Sequence, residues 1–243
     1  MIKTFVTSDL HGNLPFITEE FDLLLICGDI VPAHDHYYAF QKEWVENEFV
    51  EWVNNLPFKN AGSKVVMTPG NHDLVFERWG DETYNHISHL TGGRLIILRN
   101  KEYIFDYLNK DGKEKKLKIF GTPYCQIFGN WAFMRPNETL KRKFSEMPEN
   151  VDVLISHSSP DIEEYGCIHY QPNKIYKNAG CPILANAIKE KKPKYVFCGH
   201  IHSGNHKLQV IDGIAIANVS CVDESYKFRD NMLKLYIEGH ECE

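Results

Sequence analysis

Tyr195-Val196-Phe197-Cys198-Gly199-His200-Ile201-His202 is the stretch from which the rest of the chain can be read. A run of four apolar and aromatic residues reads as a strand covered on both faces. A glycine and two imidazoles flanking one isoleucine follow at once, and a core strand has no structural need of them. The arrangement recurs upstream. The strand-like run 2–7 ends in Ser8-Asp9-Leu10-His11-Gly12, and the run 23–27 ends in Gly28-Asp29. The run 64–68 leads into Gly70-Asn71-His72-Asp73, and the run 151–156 ends in Ser156-His157. Further strand-like runs cover 94–98, 117–120, 214–218 and 233–237, with helix-like stretches at 38–56, 138–146 and 182–191. Apolar strands interleaved with helices imply an α/β fold, whose sites form past the carboxyl ends of the strands.

Taken singly, each block has a bland reading. Asp-x-His suits a surface loop, Gly-Asp is ordinary turn chemistry, and a lone histidine is more often a satisfied core residue. Five strands that each deliver a carboxylate, amide or imidazole just past their ends are not explained that way. The set also selects its chemistry. Oxygen and imidazole donors without cysteine suit Mn2+, Fe2+, Zn2+ or Ni2+, with Mn2+ the first choice, and disfavour a closed structural zinc site. Asp9, His11, Asp29, Asn71, His157, His200 and His202 are too many ligands for one ion with open positions. Two ions sharing a bridging carboxylate would use them all.

The whole chain is compatible with this. Its 243 residues, 43% hydrophobic and 25% charged, are expected to form one domain over residues 1–243 with a sizeable core. A net charge of −6 argues against non-specific nucleic-acid binding. It leaves a nucleotide open as substrate, because bound divalent cations would reverse the field locally. The start Met1-Ile2-Lys3-Thr4-Phe5-Val6 lacks signal-peptide anatomy, and no apolar run has the length of a membrane span. Seven cysteines without CxxC spacing read as buried free thiols, which implies a reducing, cytoplasmic location. Asn109-Lys110-Asp111-Gly112-Lys113 reads as a hairpin turn centred on Asp-Gly, and the polar stretch 110–118 as a solvated surface turn. Trp44, Phe49 and Trp52 fall near helical spacing and read as core packing.

Asp-x-His, Gly-Asp, Gly-Asn-His-Asp, His and Gly-His-x-His follow one another over residues 9–202. In that order they resemble the signature of the calcineurin-like metallophosphoesterase superfamily. Gly121-Thr122-Pro123-Tyr124 followed by Trp131-Ala132-Phe133, and Asn218-Val219-Ser220, look most like its small MPPED-type branch. The resemblance implies a four-layer α/β/β/α sandwich of two mixed β-sheets, the metallophosphoesterase fold, with the site at one edge. It implies that Asp9, His11 and His202 hold a first divalent ion and Asn71, His157 and His200 a second, with Asp29 bridging. His72 is then expected beside the phosphoryl group with Asn71, where it stabilises charge and protonates the leaving oxygen. The adjacent Asp73 could orient His72 or raise its pKa. The implied activity is in-line hydrolysis of a phosphate ester by a hydroxide shared between the ions. A small phosphodiester or nucleotide-like substrate is expected, with diesters ahead of monoesters. The alternative is a non-catalytic metal-binding scaffold or interaction module on the same fold. Scaffold relatives tend to lose His72 or a ligand, and this chain keeps all of them.

The chain also departs from its relatives. Many carry Pro-Pro after the histidine and a small residue, whereas here His157-Ser158-Ser159-Pro160 alters the loop behind the ligand. Gly28-Asp29-Ile30-Val31-Pro32-Ala33 lacks the second Asp and the Arg of protein phosphatases, which disfavours a phosphoprotein substrate. His34, Asp35, His36, Tyr37 and Tyr38 read as a solvated loop, with one wall of a substrate pocket as the alternative. Tyr124, Phe128 and Trp131 would stack on a nucleobase or pack within their loop. His86, His89, His169, His206 and His240 show no pairing.

Overall fold

Unbroken runs of valine, leucine and isoleucine make strands that need cover on both faces, and two facing sheets meet that need together. The computed structural model describes residues 1–171, 174–229 and 232–241. The first sheet runs in the order Leu233–Ile237, Ile2–Thr7, Leu23–Ile26, Lys64–Met67, Leu95–Ile97. Its first strand is antiparallel to Ile2–Thr7, and the remaining pairs are parallel. The second sheet runs Gln209–Ile211, Ile214–Asn218, Tyr195–Cys198, Val153–Ser156, Glu114–Thr122. Pairing is parallel from Ile214–Asn218 to Glu114–Thr122, and both Lys101–Leu108 and His240–Glu241 lie antiparallel on Glu114–Thr122.

Alternation along each strand then sorts its side chains between two cores. Val6, Leu23, Leu25 and Val66 of the first sheet meet Ile119, Val153, Ile155, Phe197 and Ala217 of the second in one buried cluster between the sheets. Their neighbours Phe5, Leu24, Ile26 and Met67 face outward and share a second cluster with the helix residues Val45, Phe49, Val53 and Ile87. Phe120, Leu154, Val196 and Ile216 do the same with Leu140, Phe144, Leu184 and Ile188 of Asn137–Ser145 and Pro182–Lys191. The result is the α/β/β/α sandwich. Each fully buried aliphatic side chain contributes roughly 1.5–3 kcal/mol, so the zippered pair of sheets is a stiff base for whatever its edge carries.

The expected helix 38–56 is α-helical over Tyr38–Trp44 and Val50–Asn54, with a π-helical turn Val45–Phe49 between them. Trp44, Phe49 and Trp52 stack along it at 6.0 and 5.7 Å, as core packing requires. The Asp-Gly hairpin forms, with the Asn109 amide donating to the Lys113 carbonyl. The solvated turn is shorter than expected, however, because residues 114–118 already belong to Glu114–Thr122. Lys115 and Leu117 point inward there while their neighbours face out, a period of two hidden by the density of lysines. Lys101–Leu108, the helices Leu74–Arg78 and Asp81–Leu90, and the hairpin Cys167–Gln171/Lys174–Asn178 were not expected. Six cysteines are buried free thiols, and Cys242 lies outside the described residues. No helix among the described residues is long and apolar enough to cross a membrane.

One consequence of the pairing matters most. Thr7, Ile26 and Met67 are in register at the end of the first sheet, and Thr122, Ser156, Cys198 and Asn218 at the end of the second. A bridge between Ser8 and Ser220 joins the two sheets at that edge.

Candidate metal centre

All five polar blocks leave the sheets at this common edge, and backbone hydrogen bonds lace them together. The amides of Asp9, His11 and Gly12 donate to the carbonyls of Gly28, Asp29 and Ile30, each at 2.9 Å. The loops pack so closely that two glycines are required. A Cβ on Gly70 would lie 2.2 Å from Asp29 Oδ1, and one on Gly199 would lie 1.9 Å from Ser8 Oγ and 2.4 Å from Asp9 Oδ2. Asp9, His11, Asp29 and His200 all adopt left-handed backbone conformations, with φ of 56°, 44°, 52° and 71°. Non-glycine residues there are strained by about 1–3 kcal/mol each, and such strain collects where side-chain placement matters more than stability.

These turns point the ligand atoms at one another. Asp9, His11 and His202 form one group of donor atoms within 4.8 Å of one another, and Asp9, Asp29 and His157 form a second. His11 Nε2 is 3.4 Å from His202 Nε2, and Asp9 Oδ1 is 3.5 Å from His202 Nε2. Asp29 Oδ1 accepts the His72 amide at 2.7 Å, which leaves Oδ2 between His157 Nε2 at 3.3 Å and His11 Nε2 at 3.8 Å. Asn71 Oδ1 is 2.9 Å from His157 Nε2. The His200 ring lies 5.0 Å from that of His157, and its backbone amide donates to Asp9. The outer nitrogens of His157 and His202 are occupied. His157 Nδ1 donates to the Cys27 carbonyl at 2.9 Å and His202 Nδ1 to the Asp223 carbonyl at 3.1 Å, so Nε2 of each faces the centre.

Electrostatics shows what the centre lacks. Among the described residues, every ion-pair partner of Asp9 and Asp29 is a histidine. Burial opposes the charge on both carboxylates, yet His202 and His157 hold Asp9 well below the usual range, and His157 and His72 do the same for Asp29. Burial likewise disfavours a charged His157, but Asp29 and then Asp9 reverse this and raise its imidazole to about 9. Burial lowers His11 to about 4 and His200 to about 3, so both are neutral donors at physiological pH. His11 Nδ1 is itself buried with no hydrogen-bond partner. Buried anions and neutral imidazoles in contact, without lysine or arginine, fit divalent cations.

Other sequence-singled residues fall around this core. His72 sits beside the ligands, its ring 5.0 Å from that of His11 and perpendicular to it. Asp73 is adjacent in sequence only. Its oxygens accept from the amides of Ile30, Val31 and Gly70, so it braces the loops rather than the His72 ring. Burial and then the charge of Asp29 raise it to about 7. His34 is exposed and rests on Phe40, whereas His36 reaches His72. Tyr124 is buried against Phe133. Trp131 lies 4.4 Å from the His72 ring, tilted by 32°. Phe128 alone of the three aromatics lines the open cleft of about 470 Å³ above the ligands, with Tyr226, Lys177, Asn178 and Glu224.

Several supports carry no local signal in the sequence. Buried Gln41 donates to the His72 carbonyl and accepts from the Val75 amide. Asn218 donates to Ile201, Tyr165 and Ser159, which ties the second-sheet loops together. His206 bonds the carbonyls of His202 and Asn218. Tyr226, 4.8 Å from His11, arrives from a polar loop with no strand-end signal.

A family model described as Calcineurin-like phosphoesterase matches residues 2–204. Metallophosphoesterase domain-containing protein 1 of Homo sapiens is 28% identical over 209 residues, covering 81% of this chain and 59% of that protein. A protein of Emericella nidulans named Probable rhamnogalacturonate lyase C is 28% identical over 216 residues, or 85% of this chain and 18% of its own length. The chain thus spans less than two thirds of either relative. Among solved structures, TT1561 of Thermus thermophilus superposes with a TM-score of 0.56 at 11% identity, over 96% of this chain and 98% of that one. That likeness is one of fold.

Proposed function

The chain belongs to the calcineurin-like phosphoesterase family, and from that premise we propose that it hydrolyses a small phosphodiester, nucleotide-like compounds included, with two divalent ions, Mn2+ foremost. Asp9, His11 and His202 hold one ion, Asn71, His157 and His200 the other, and Asp29 contributes to both. The observation that carries this is the position of Asp29 Oδ2, between the inward nitrogens of His11 and His157 with no lysine or arginine paired to it among the described residues. Ions held there would supply Lewis acidity and a water acidified to near neutral pH.

The protein's own groups do the rest. Asp9 and Asp29, kept ionised, fix the positive charge at the sheet edge. The Nδ1 bonds of His157 and His202 hold their rings so that Nε2 faces inward. His72, outside both donor groups, faces the leaving oxygen and gives it a proton as its bond to phosphorus breaks. Asp73 keeps the Gly70–Asp73 turn in shape and takes no part in proton transfer. Among the described residues that line the cleft, Lys177 is the one lysine and none is an arginine. A dianionic monoester would call for a tighter clamp than a monoanionic diester, which supports diesterase chemistry.

The test loads metal-free protein with each divalent ion in turn. Bis-p-nitrophenyl phosphate, p-nitrophenyl phosphate and cyclic nucleotides are then compared, with bound metal measured in parallel. Close to two ions per chain and faster diester cleavage are expected. One ion at saturation would remove the shared role of Asp29, and faster monoester cleavage across several metals would remove the diester reading.

A further inference from the structure

The His34–His36 loop follows Asp29 by only a few residues, and its second histidine turns back onto the Gly70–Asp73 turn. His36 Nε2 lies 3.2 Å from His72 Nδ1. Both rings rest on Trp131, at 4.8 Å for His36 and 4.4 Å for His72. The usual partners of a working imidazole are engaged elsewhere. Asp73 faces three backbone amides, and Gln41 reaches the His72 carbonyl rather than its ring. His36 is thus the hydrogen-bonding partner of the His72 ring among the described residues.

We infer that His36 is a positioning residue: its Nε2 accepts the Nδ1 proton of His72 and so selects Nε2 of His72 as the nitrogen that gives up a proton. This rests on the reading of His72 as the proton donor. The balance is simple. The imidazolium of His72 loses its Nε2–H, the leaving oxygen gains that proton as its bond to phosphorus breaks, and His72 is left neutral with Nδ1–H. An acceptor at Nδ1 holds one proton in place before and after the step, so the other is delivered. Trp131 supports the geometry by resting against both rings.

Four variants or readouts test this. His36→Phe keeps a ring against Trp131 and removes the acceptor, while His36→Gln keeps an acceptor oxygen. On a cyclic nucleotide, whose leaving group is a ribose alkoxide, His36→Phe should lower kcat about tenfold, the low end for a partner that orients a functional imidazole. KM and bound metal should be unchanged. On bis-p-nitrophenyl phosphate the loss should be within about twofold, since p-nitrophenolate needs no proton to leave. His36→Gln should recover most of the loss. Independently of activity, 15N shifts of His72 in Zn2+-loaded protein should show the neutral Nδ1–H tautomer, and His36→Phe should shift it toward Nε2–H. An Nε2–H tautomer in the unsubstituted protein, equal losses on both substrates, no loss on either, or loss of metal would each overturn the inference. His72→Ala separates the two levels. If it shows no leaving-group dependence, the proton-donor reading itself fails. If it does and His36→Phe does not, only the role of His36 fails.

Discussion

The two edges of the sheets treat buried carboxylates in opposite ways. At the amino ends of the strands, Asp22 precedes Leu23–Ile26 and Asp152 precedes Val153–Ser156, and both are buried. Each has a lysine: Lys59 Nζ lies 2.9 Å from Asp22 and Lys194 Nζ 2.8 Å from Asp152. The amides of Lys3 and Lys118 donate to them, and His240 Nε2 lies 2.7 Å from Asp152. At the carboxyl ends, Asp9 and Asp29 are as buried, yet among the described residues their ion-pair partners are all histidines. A lysine neutralises a carboxylate at any physiological pH, whereas a histidine does so only while it holds a proton that it can surrender. One edge is electrostatically closed and the other is open to a cation. Burial is the same at both, so it is the identity of the charged partner that separates a structural carboxylate from a ligand.

The comparison breaks most visibly at Asp29. Asp29→Ala should weaken both metal positions together, by more than the ~10–100-fold that loss of an outer-shell partner produces, and hydrolysis should fall with it. His11→Ala should affect mainly one position. Metal content after dialysis reads both, and a variant lacking Asp29 that still retains two ions would place the shared ligand elsewhere.

Acidity should sharpen the contrast. In metal-free protein both nitrogens of His157 face oxygen acceptors, and the imidazole is raised from 6.5 to about 9. An ion taking Nε2 must displace that proton, so apparent metal affinity should rise up to about tenfold per pH unit as pH approaches 9. Stability of the metal-free protein should move the other way. A group with a raised folded pKa stabilises fully below its unfolded pKa, and the contribution is lost as pH rises through the folded value. The metal-free melting temperature should therefore fall between pH 6.5 and 9 while metal binding tightens. Asp73, raised to about 7, acts in the same direction in the lower part of that window. Melting curves with and without metal that shift in parallel would count against His157 as the linked group.

The open edge was legible in the sequence because its residues follow strands directly, and strand ends are fixed by the apolar pattern. Asp9, His11, Asn71, His157 and His202 reach one centre on that basis. The supports were not legible, because they cross long separations without a local pattern. His36 meets His72 across 36 residues, and Gln41 reaches the same turn from inside a helix. Asp73 shows the opposite failure, since a sequence neighbour of His72 points its carboxylate the other way along the turn. At the closed edge, Lys59, Lys194 and His240 are ordinary surface residues until the sheets assemble.

Asp152→Ala probes the closed edge. The partly buried Lys118 amide would lose its acceptor, at about 1 kcal/mol, the low end for a donor left unpaired. Lys194 and His240 are half-exposed and would stay solvated. A melting temperature lower by about 2–4 °C per kcal/mol is expected, with metal content and activity at permissive temperature unchanged.

The smallest effect belongs to Lys194→Gln, and it decides whether the two edges are independent. Lys194 is 47% exposed and pairs with a fully buried carboxylate. Exposed ammonium partners contribute about 0–1 kcal/mol, because water and salt screen them and the long side chain must be held in place. Asp152 also retains the Lys118 amide and His240, so it is not left bare. Thermal unfolding should shift by no more than a few degrees, and the shift should shrink at high ionic strength as screening weakens the original pair. The informative part is the other edge. Lys194 and Gly199-His200 flank the same four-residue strand, Tyr195–Cys198, whose inward and outward side chains are locked in both cores. If the strand is as stiff as that packing implies, Lys194→Gln should leave metal affinity untouched. A loss of affinity that follows the loss of the lysine would mean that the strand transmits displacement along its length, and the electrostatic division between the two edges would have to be given up.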